Sequence, residues 1–137
     1  MPRAKRKPKP PSTPERDVQA ACLACLKAWG IDVKRQNTGA ALNPRGKMVR
    51  FGQAGDPDIT GILPGGRRLD LEIKAPGKEP TPEQLERLRL TNAQGAVGLW
   101  LDDALELARI LPKLCAGARV EIDEDGRQWL VTDDEDA

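Results

Sequence analysis

Two neighbouring stretches decide how this chain folds, Gly55-Asp56-Pro57-Asp58-Ile59-Thr60-Gly61 and Leu69-Asp70-Leu71-Glu72-Ile73-Lys74-Ala75. Between them lies Pro64-Gly65-Gly66, and two short apolar runs around such a turn predict a β-hairpin. Because side chains alternate between the two faces of a strand, the second run separates an apolar face from a polar one. The polar face carries Asp70, Glu72 and Lys74, and Asp58 reaches it from the neighbouring strand.

This arrangement places an acidic pair beside a lysine, and such a pair can form a binding site for a divalent cation. Two carboxylates held close together repel each other unless a cation lies between them. Oxygen ligands favour Mg²⁺ or Mn²⁺, and the backbone carbonyl of Ile73 can add a further oxygen. A metal held by Asp58 and Glu72, with Lys74 orienting a water, suits phosphodiester hydrolysis. The alternative is an ordinary solvated, salt-bridged strand face, and Asp70 is expected to be a solvated neighbour.

The residue types that are missing narrow the chemistry further. The 137 residues include no histidine and no tyrosine, which excludes histidine general bases, Ser-His-Asp triads and tyrosine nucleophiles. The three cysteines, Cys22, Cys25 and Cys115, are too few for a zinc site without histidine, so we interpret them as buried apolar residues. An odd number of cysteines and no secretory signal predict a reducing, cytoplasmic location.

The net charge of +1 hides two basic stretches. Five basic residues and no acid precede Glu15, and the chain from Val33 to Gly55 again contains five and no acid. Such clustering is typical of proteins that bind polyanions, although either stretch alone could be ordinary solvated charge. We predict that the second group contacts DNA phosphates: Lys34, Arg35, Arg45, Lys47 and Arg50.

Helix and strand signals alternate along the chain. A first helix is predicted from Thr13 as N-cap and Pro14 at the first helical position to Trp29, with Glu15 on its inner, apolar stripe. A strand over Ile31–Gln36 and a long loop over Asn37–Arg50 follow. After the hairpin, Thr81 and Gln84 predict a capping box at the start of a second helix. A buried strand over Ala96–Leu101, a third helix and a second hairpin around Asp125-Gly126 complete the pattern.

These elements predict an α/β fold in which helices flank a central mixed β-sheet. We expect a disordered basic arm over residues 1–12, a single domain over 13–132 and an acidic tail over 133–137.

Pro57-Asp58 followed by Glu72-Ile73-Lys74 on the next strand resembles the signature of the PD-(D/E)XK nuclease superfamily. With Gly55 before Pro57 and Gln84 opening the following helix, the chain resembles the VRR-NUC nuclease domain more specifically, over roughly Glu15 to Leu111. The resemblance implies a restriction-endonuclease-like fold. It also implies Asp58 and Glu72 as metal ligands, Lys74 as the catalytic lysine, and Glu15 and Gln84 as further active-site residues, Glu15 near the metal or joined to it by a water.

Stand-alone VRR-NUC proteins, found in phages and bacteria, resemble Holliday-junction resolvases and tend to act as dimers. The resemblance therefore implies a Mg²⁺- or Mn²⁺-dependent, structure-selective endonuclease that cuts branched DNA such as junctions or flaps and works as a homodimer. Two alternatives remain open from the sequence. The chain could be a restriction-type nuclease with a fixed recognition sequence, or a non-catalytic DNA-binding module that keeps the nuclease fold.

Overall fold

The computed structural model describes residues 14–36, 39–42, 44–51 and 55–132, with side chains described over 14–36, 44–47 and 55–132. The predicted basic arm (1–12), Thr13 and the acidic tail (133–137) lie outside these ranges. Within them the chain forms, in order, α1 (Glu15–Ala28), β1 (Asp32–Arg35), β2 (Gly39–Leu42), β3 (Met48–Phe51), β4 (Ile59–Ile62), β5 (Arg68–Ile73), α2 (Pro82–Ala93), β6 (Val97–Leu101), α3 (Ala104–Cys115), β7 (Arg119–Ile122) and β8 (Gln128–Val131).

A four-stranded mixed sheet forms the centre, in the order β1-β4-β5-β6. β4 pairs antiparallel with both β1 and β5, whereas β5 and β6 are parallel and are connected through α2. A parallel pair needs such a crossover, because the chain must return to the starting end of the sheet. The predicted α/β fold is confirmed, and the mixed sheet flanked by helices is compatible with a restriction-endonuclease-like fold.

The two faces of the sheet are covered differently. Leu69, Leu71 and Ile73 on β5 are fully buried in one apolar core with residues of α1 and α3. α2 covers the opposite face, where it packs on β5 and β6. At Gly98 on β6 the approach is very close, because a Cβ there would lie 2.7 Å from the carbonyl oxygen of Leu88. The predicted separation of an apolar and a polar face of β5 is therefore confirmed.

The first helix begins later than predicted. Pro14 is the N-cap, with extended backbone angles (φ −67°, ψ 152°), rather than the first helical residue. The middle of the predicted inner stripe is buried at Val18, Cys22 and Leu26, but Glu15 at the start is exposed. In α3, Asp103 caps the amide of Leu105 at 3.0 Å, and Pro112 lies inside the last turn without ending the helix.

The prediction of one long loop over Asn37–Arg50 is wrong. β2 and β3 form an antiparallel hairpin in this segment, in which Gly39 pairs with Phe51 and Leu42 with Met48. The turn between them includes Gly46, whose φ of +77° suits glycine. Short runs of small and apolar residues on both sides of a Pro-Arg-Gly turn are a hairpin signal, which the surrounding polar residues obscured.

The second predicted hairpin is confirmed as β7 and β8, which form a separate two-stranded sheet. Its Gln128 side chain accepts from the amide of Trp100 at 3.0 Å and donates to the carbonyl of the same residue. Likewise, the side chain of Asn92 in α2 accepts from the amide of Gly98 at 2.6 Å and donates to the carbonyl of Gly98 at 2.9 Å. Two side-chain amides thus satisfy backbone groups along the outer edge of β6, which a further strand would otherwise pair with.

The cysteines are free thiols. Cys22 is fully buried in the core, as predicted, while Cys25 and Cys115 are partly buried beside it. Burial raises the pKa of the Cys22 thiol to about 12, with smaller contributions from Cys25 and Asp103. In the part of the chain that the structure describes, no helix has both the length and the apolar character needed to cross a membrane.

Candidate active site

The hairpin brings the predicted acidic pair together. Ile59 pairs with Leu71 across β4 and β5, so Asp58 and Glu72 lie side by side on the face that α2 covers. The amide of Ile73 donates to Oδ2 of Asp58 at 2.8 Å, and this bond fixes the aspartate against the neighbouring strand. Lys74 Nζ lies 3.9 Å from Oε1 of Glu72. The structure thus places Asp58, Glu72 and Lys74 in one cluster.

Glu72 is an unusual carboxylate because its side chain is only 4% exposed. Its Oε2 is buried and has no hydrogen-bond donor among the described residues. The pKa of Glu72 is raised to about 9, mainly by burial and then by the neighbouring Asp58 carboxylate, whereas Lys74 lowers it. Without a cation, Glu72 therefore keeps its proton at neutral pH. A cation between the two carboxylates would replace that proton.

Gln84 has two roles at once. The capping box is present: Thr81 Oγ1 accepts from the amide of Gln84 at 3.2 Å, and Gln84 Oε1 accepts from the amide of Thr81 at 2.8 Å. The other end of the same side chain donates from Nε2 to Oε1 of Glu72 at 2.7 Å. A single amide therefore joins the first turn of α2 to the acidic pair, so the cap and the contact with the site are compatible.

The loop before Asp58 is held close to α2. Gly55 has a φ of +88°, and a Cβ there would lie 3.0 Å from the carbonyl oxygen of Glu83. Only glycine combines this backbone conformation with such a close approach. The glycine thus allows the loop that leads to Asp58 to pack against the start of the helix that carries Gln84.

Glu15, the first residue of α1, is exposed. Its charge is still near enough to raise the pKa of Glu72, as the smallest of the causes. Gln19, one turn further along α1, is buried and was not predicted. Spacing could have identified it, because it adjoins Val18 on the inner side of the helix. Whether Glu15 assists a metal stays a prediction.

The donor set around Glu72 contains two carboxylates. Among the described residues, no three of the histidine, cysteine, aspartate and glutamate type are arranged to hold a metal ion. Mg²⁺ nevertheless binds through one or two carboxylates and keeps several waters. The Oε2 atom of Glu72, which has no partner among the described residues, fits a hard cation of this kind. Ile73, whose backbone carbonyl is the further predicted ligand, follows Glu72 directly in β5.

The predicted DNA-binding residues are only partly described. Lys34 and Arg35 are exposed on β1, and Arg45 and Lys47 are exposed around the turn between β2 and β3. Arg50 lies on β3, and its side chain is outside the described part. On β1, Lys34 shares its sheet face with Asp58 and Glu72, because Lys34 pairs with Thr60 and Thr60 with Asp70.

The prediction that Asp70 is solvated is wrong. Its side chain is 1% exposed and forms an ion pair with Arg68, whose Nε donates to Oδ1 at 2.8 Å. Thr91 of α2 donates to Oδ2 at 2.6 Å. Asp70 is buried because α2 covers this end of β5 as well as the end with Glu72. The spacing of Gln84, Leu88 and Thr91 on one side of α2 is the signal that could have revealed it.

Comparison of the sequence with known proteins supports a relationship to a nuclease. The chain is 41% identical over 66 residues to "Putative nuclease p44" of Acyrthosiphon pisum secondary endosymbiont phage 1. The matched region is 48% of this chain and 70% of the length of the phage protein. This chain belongs to the family of that phage nuclease. None of the protein-family models matches the chain, and no solved structure matches it.

Proposed function

We propose that this protein is a metal-dependent deoxyribonuclease that hydrolyses phosphodiester bonds at the Asp58–Glu72 pair. The observation that carries the proposal is the environment of Glu72. Its Oε1 accepts from Gln84 at 2.7 Å, while its buried Oε2 has no donor among the described residues. A salt-bridged strand face exposed to water would have neither feature. The name of the phage relative, a nuclease, supports the same class of reaction.

Each side chain of the cluster has its own role in the proposed reaction. Asp58 and Glu72, with the carbonyl of Ile73, would hold Mg²⁺ or Mn²⁺, and Glu15 would assist from the start of α1. A cation held there would supply charge to stabilise the phosphoryl oxygens and would acidify a water. Lys74, 3.9 Å from Glu72, would orient the attacking water and offset the negative charge that develops on the phosphate. Gln84 would keep Glu72 in position.

Cleavage assays test this assignment. Purified protein should nick DNA in the presence of Mn²⁺ or Mg²⁺, and excess EDTA should stop the reaction. Glu72→Ala and Lys74→Ala should each abolish cleavage while DNA binding survives. Undiminished cleavage by both variants would refute the site, and binding without cleavage by the unaltered protein under every metal condition would favour a non-catalytic module.

Metal binding can be measured without DNA. Mn²⁺ titrated into the protein at neutral pH should bind and release protons, because Glu72 must ionise to accept a cation. Glu72→Gln keeps the shape of the side chain but removes the negative charge, and it should weaken binding at least tenfold. Arg109→Gln on α3 is a suitable control, because Arg109 pairs with Glu106 on the surface. Equal Mn²⁺ affinity of the Glu72→Gln variant and the unaltered protein would contradict the assigned ligands.

The proposal includes two finer parts, both from the resemblance to VRR-NUC domains: selectivity for branched DNA and action as a homodimer. A panel of four-way junction, flap, splayed arm and linear duplex, each in several unrelated sequences, tests selectivity. Cleavage that follows shape across sequences supports it, and cleavage that follows one sequence in any shape favours a restriction-type enzyme. Light scattering of the purified protein, with and without a junction, tests the dimer.

A further inference from the structure

A groove of about 460 Å³ opens on the sheet face that carries Glu72, over β1, β4 and β5. Gln36 lines one end, and its backbone N–H donates to the backbone carbonyl of Asp58 at 2.8 Å, so the groove begins beside the candidate active site. Lys34 and Thr60 follow, and Arg68 lines the far side. Asp32 also lines the groove, opposite Ile62 and beyond Lys34. The groove thus runs from a residue bonded to Asp58 towards Arg68, and its lining carries two basic residues and one acid.

A smaller cavity of about 80 Å³ adjoins this groove at Arg68. Arg68 and Arg87 both line it, together with Asp70, Thr91 and Gln94. The volume holds several water molecules, and therefore also the oxygens of a phosphate group. Arg68 is paired with the Asp70 carboxylate, so the lining holds two positive charges against one negative charge.

One buried hydrogen-bond donor among the residues that line this cavity has no acceptor among the described residues. Asp70 accepts from Arg68 Nε on one oxygen and from Thr91 on the other. Nε of Arg87 is buried and has no acceptor among the described residues. An unpaired buried N–H is costly, and guanidinium groups are well matched to phosphate oxygens. The lining of the cavity therefore combines an excess of positive charge with an arginine that has an unpaired donor.

We propose that the Arg68–Arg87 cavity binds a backbone phosphate of the DNA strand, distinct from the phosphate that is cut. The groove would carry the strand between this cavity and the Asp58–Glu72 pair. Arg68 precedes Glu72 by four residues, which is about 13 Å along a strand. Asp70 and Thr91 are positioning residues, since they hold Arg68 at the mouth of the cavity. This inference rests on the proposed nuclease function.

Exposed apolar side chains fit the same occupant. Ile62 in the groove is 55% exposed, and Leu90 beside the cavity is 49% exposed. Surfaces of this kind can contact the sugars and bases of a strand whose phosphates are held by arginine. A free phosphate ion would satisfy the arginines without using these residues, so the two sources of phosphate can be told apart.

The salt dependence of binding tests the proposal. Affinity for fluorescein-labelled DNA is measured in EDTA, so that no cleavage occurs, over a range of salt concentrations. Each phosphate contact contributes about 0.9 to the slope of log K against log salt for duplex DNA and about 0.7 for single strands. Arg87→Gln should lower the slope by about that amount. Arg109→Gln, an exposed arginine on α3, should leave it unchanged.

A second measurement locates the phosphate. Methylphosphonate, which is neutral, replaces one phosphate at a time along the DNA. The unaltered protein should lose affinity at a position other than the scissile one, and Arg87→Gln should be insensitive there. Arg87→Lys, which keeps the charge but not the planar fork, should show a partial loss. If Arg87→Gln fails to fold, the unaltered protein and Arg87→Lys still provide this readout.

The outcomes separate the two proposals. An unchanged slope for Arg87→Gln, or an equal loss for Arg109→Gln, would overturn the phosphate cavity while leaving the nuclease assignment intact. Thermal stabilisation by inorganic phosphate that is lost in Arg87→Gln, without any change in the DNA slope, would assign the cavity to free phosphate and also overturn the proposal. Failure of the unaltered protein to bind DNA in EDTA and to cut it with Mn²⁺ would refute the proposed function itself.

Discussion

The double role of Gln84 leads to a sharp prediction. Gln84→Met keeps a long, unbranched side chain with good helix propensity but removes both its amide donor and its carbonyl. The variant therefore loses one bond of the capping box, at Thr81, and the 2.7 Å bond to Glu72. Thr81→Ala is the matched control, because it loses the other bond of the capping box and leaves the contact between Gln84 and Glu72 in place.

The contacts of Gln84 determine how large the changes in stability and cleavage should be. Loss of an N-cap side chain costs about 1 kcal/mol, which is the expected destabilisation of Thr81→Ala. Oε1 of Glu72 lies in a buried, protonated side chain of the metal-free protein, and leaving such an acceptor without its donor costs about 1–3 kcal/mol. Gln84→Met should therefore be destabilised by about 2–4 kcal/mol. If the energy of the bond to Glu72 serves to hold that residue in its reactive position, cleavage should fall about 5- to 150-fold.

Urea denaturation and single-turnover DNA cleavage with Mn²⁺ measure the two quantities. Mn²⁺ affinity should fall in Gln84→Met and stay unchanged in Thr81→Ala, which distinguishes positioning of Glu72 from a general loss of stability. The double variant Glu72→Gln/Gln84→Met closes a double-mutant cycle and isolates the pairwise energy. Cleavage by Gln84→Met within twofold of Thr81→Ala would refute the argument that Gln84 positions Glu72.

Three further predictions follow from burial. In EDTA, the free energy of unfolding should fall as pH rises from about 4.5 to about 9, because folded Glu72 keeps a proton that the unfolded chain has lost; Glu72→Gln should flatten this dependence, and an identical slope in both proteins would contradict it. Gly98→Ala should cost about 1–3 kcal/mol in urea denaturation, since its Cβ would lie 2.7 Å from the carbonyl oxygen of Leu88, and a stability equal to the unaltered protein would contradict this packing. In a Cys25→Ser/Cys115→Ser background, Cys22 should react with a thiol reagent only when urea unfolds the chain, because the folded thiol is buried and has a pKa of about 12; rapid labelling of the folded protein would contradict it.

Local patterns were sufficient for much of the fold. Pro64-Gly65-Gly66 between two alternating runs predicted the β4–β5 hairpin. The alternation of side chains along a strand was enough to place Asp58, Glu72 and Lys74 on one face. Thr81 and Gln84 predicted the start of α2, since a capping box is formed by residues three apart in the chain. The β2–β3 hairpin was missed, because its strands are short and are surrounded by residues typical of loops.

Local patterns in the chain specify which side chains the hairpin presents, whereas long-range packing sets their exposure and ionisation. Asp70 and Glu72 alternate with leucine and isoleucine in the same way, so nothing local distinguishes a buried carboxylate from a solvated one. α2 makes the difference: it covers both residues, supplies Thr91 to the first and Gln84 to the second, and removes them from water. Burial and hydrogen bonding come from elements distant in the chain, and these set the pKa of Glu72 and the position of Arg68.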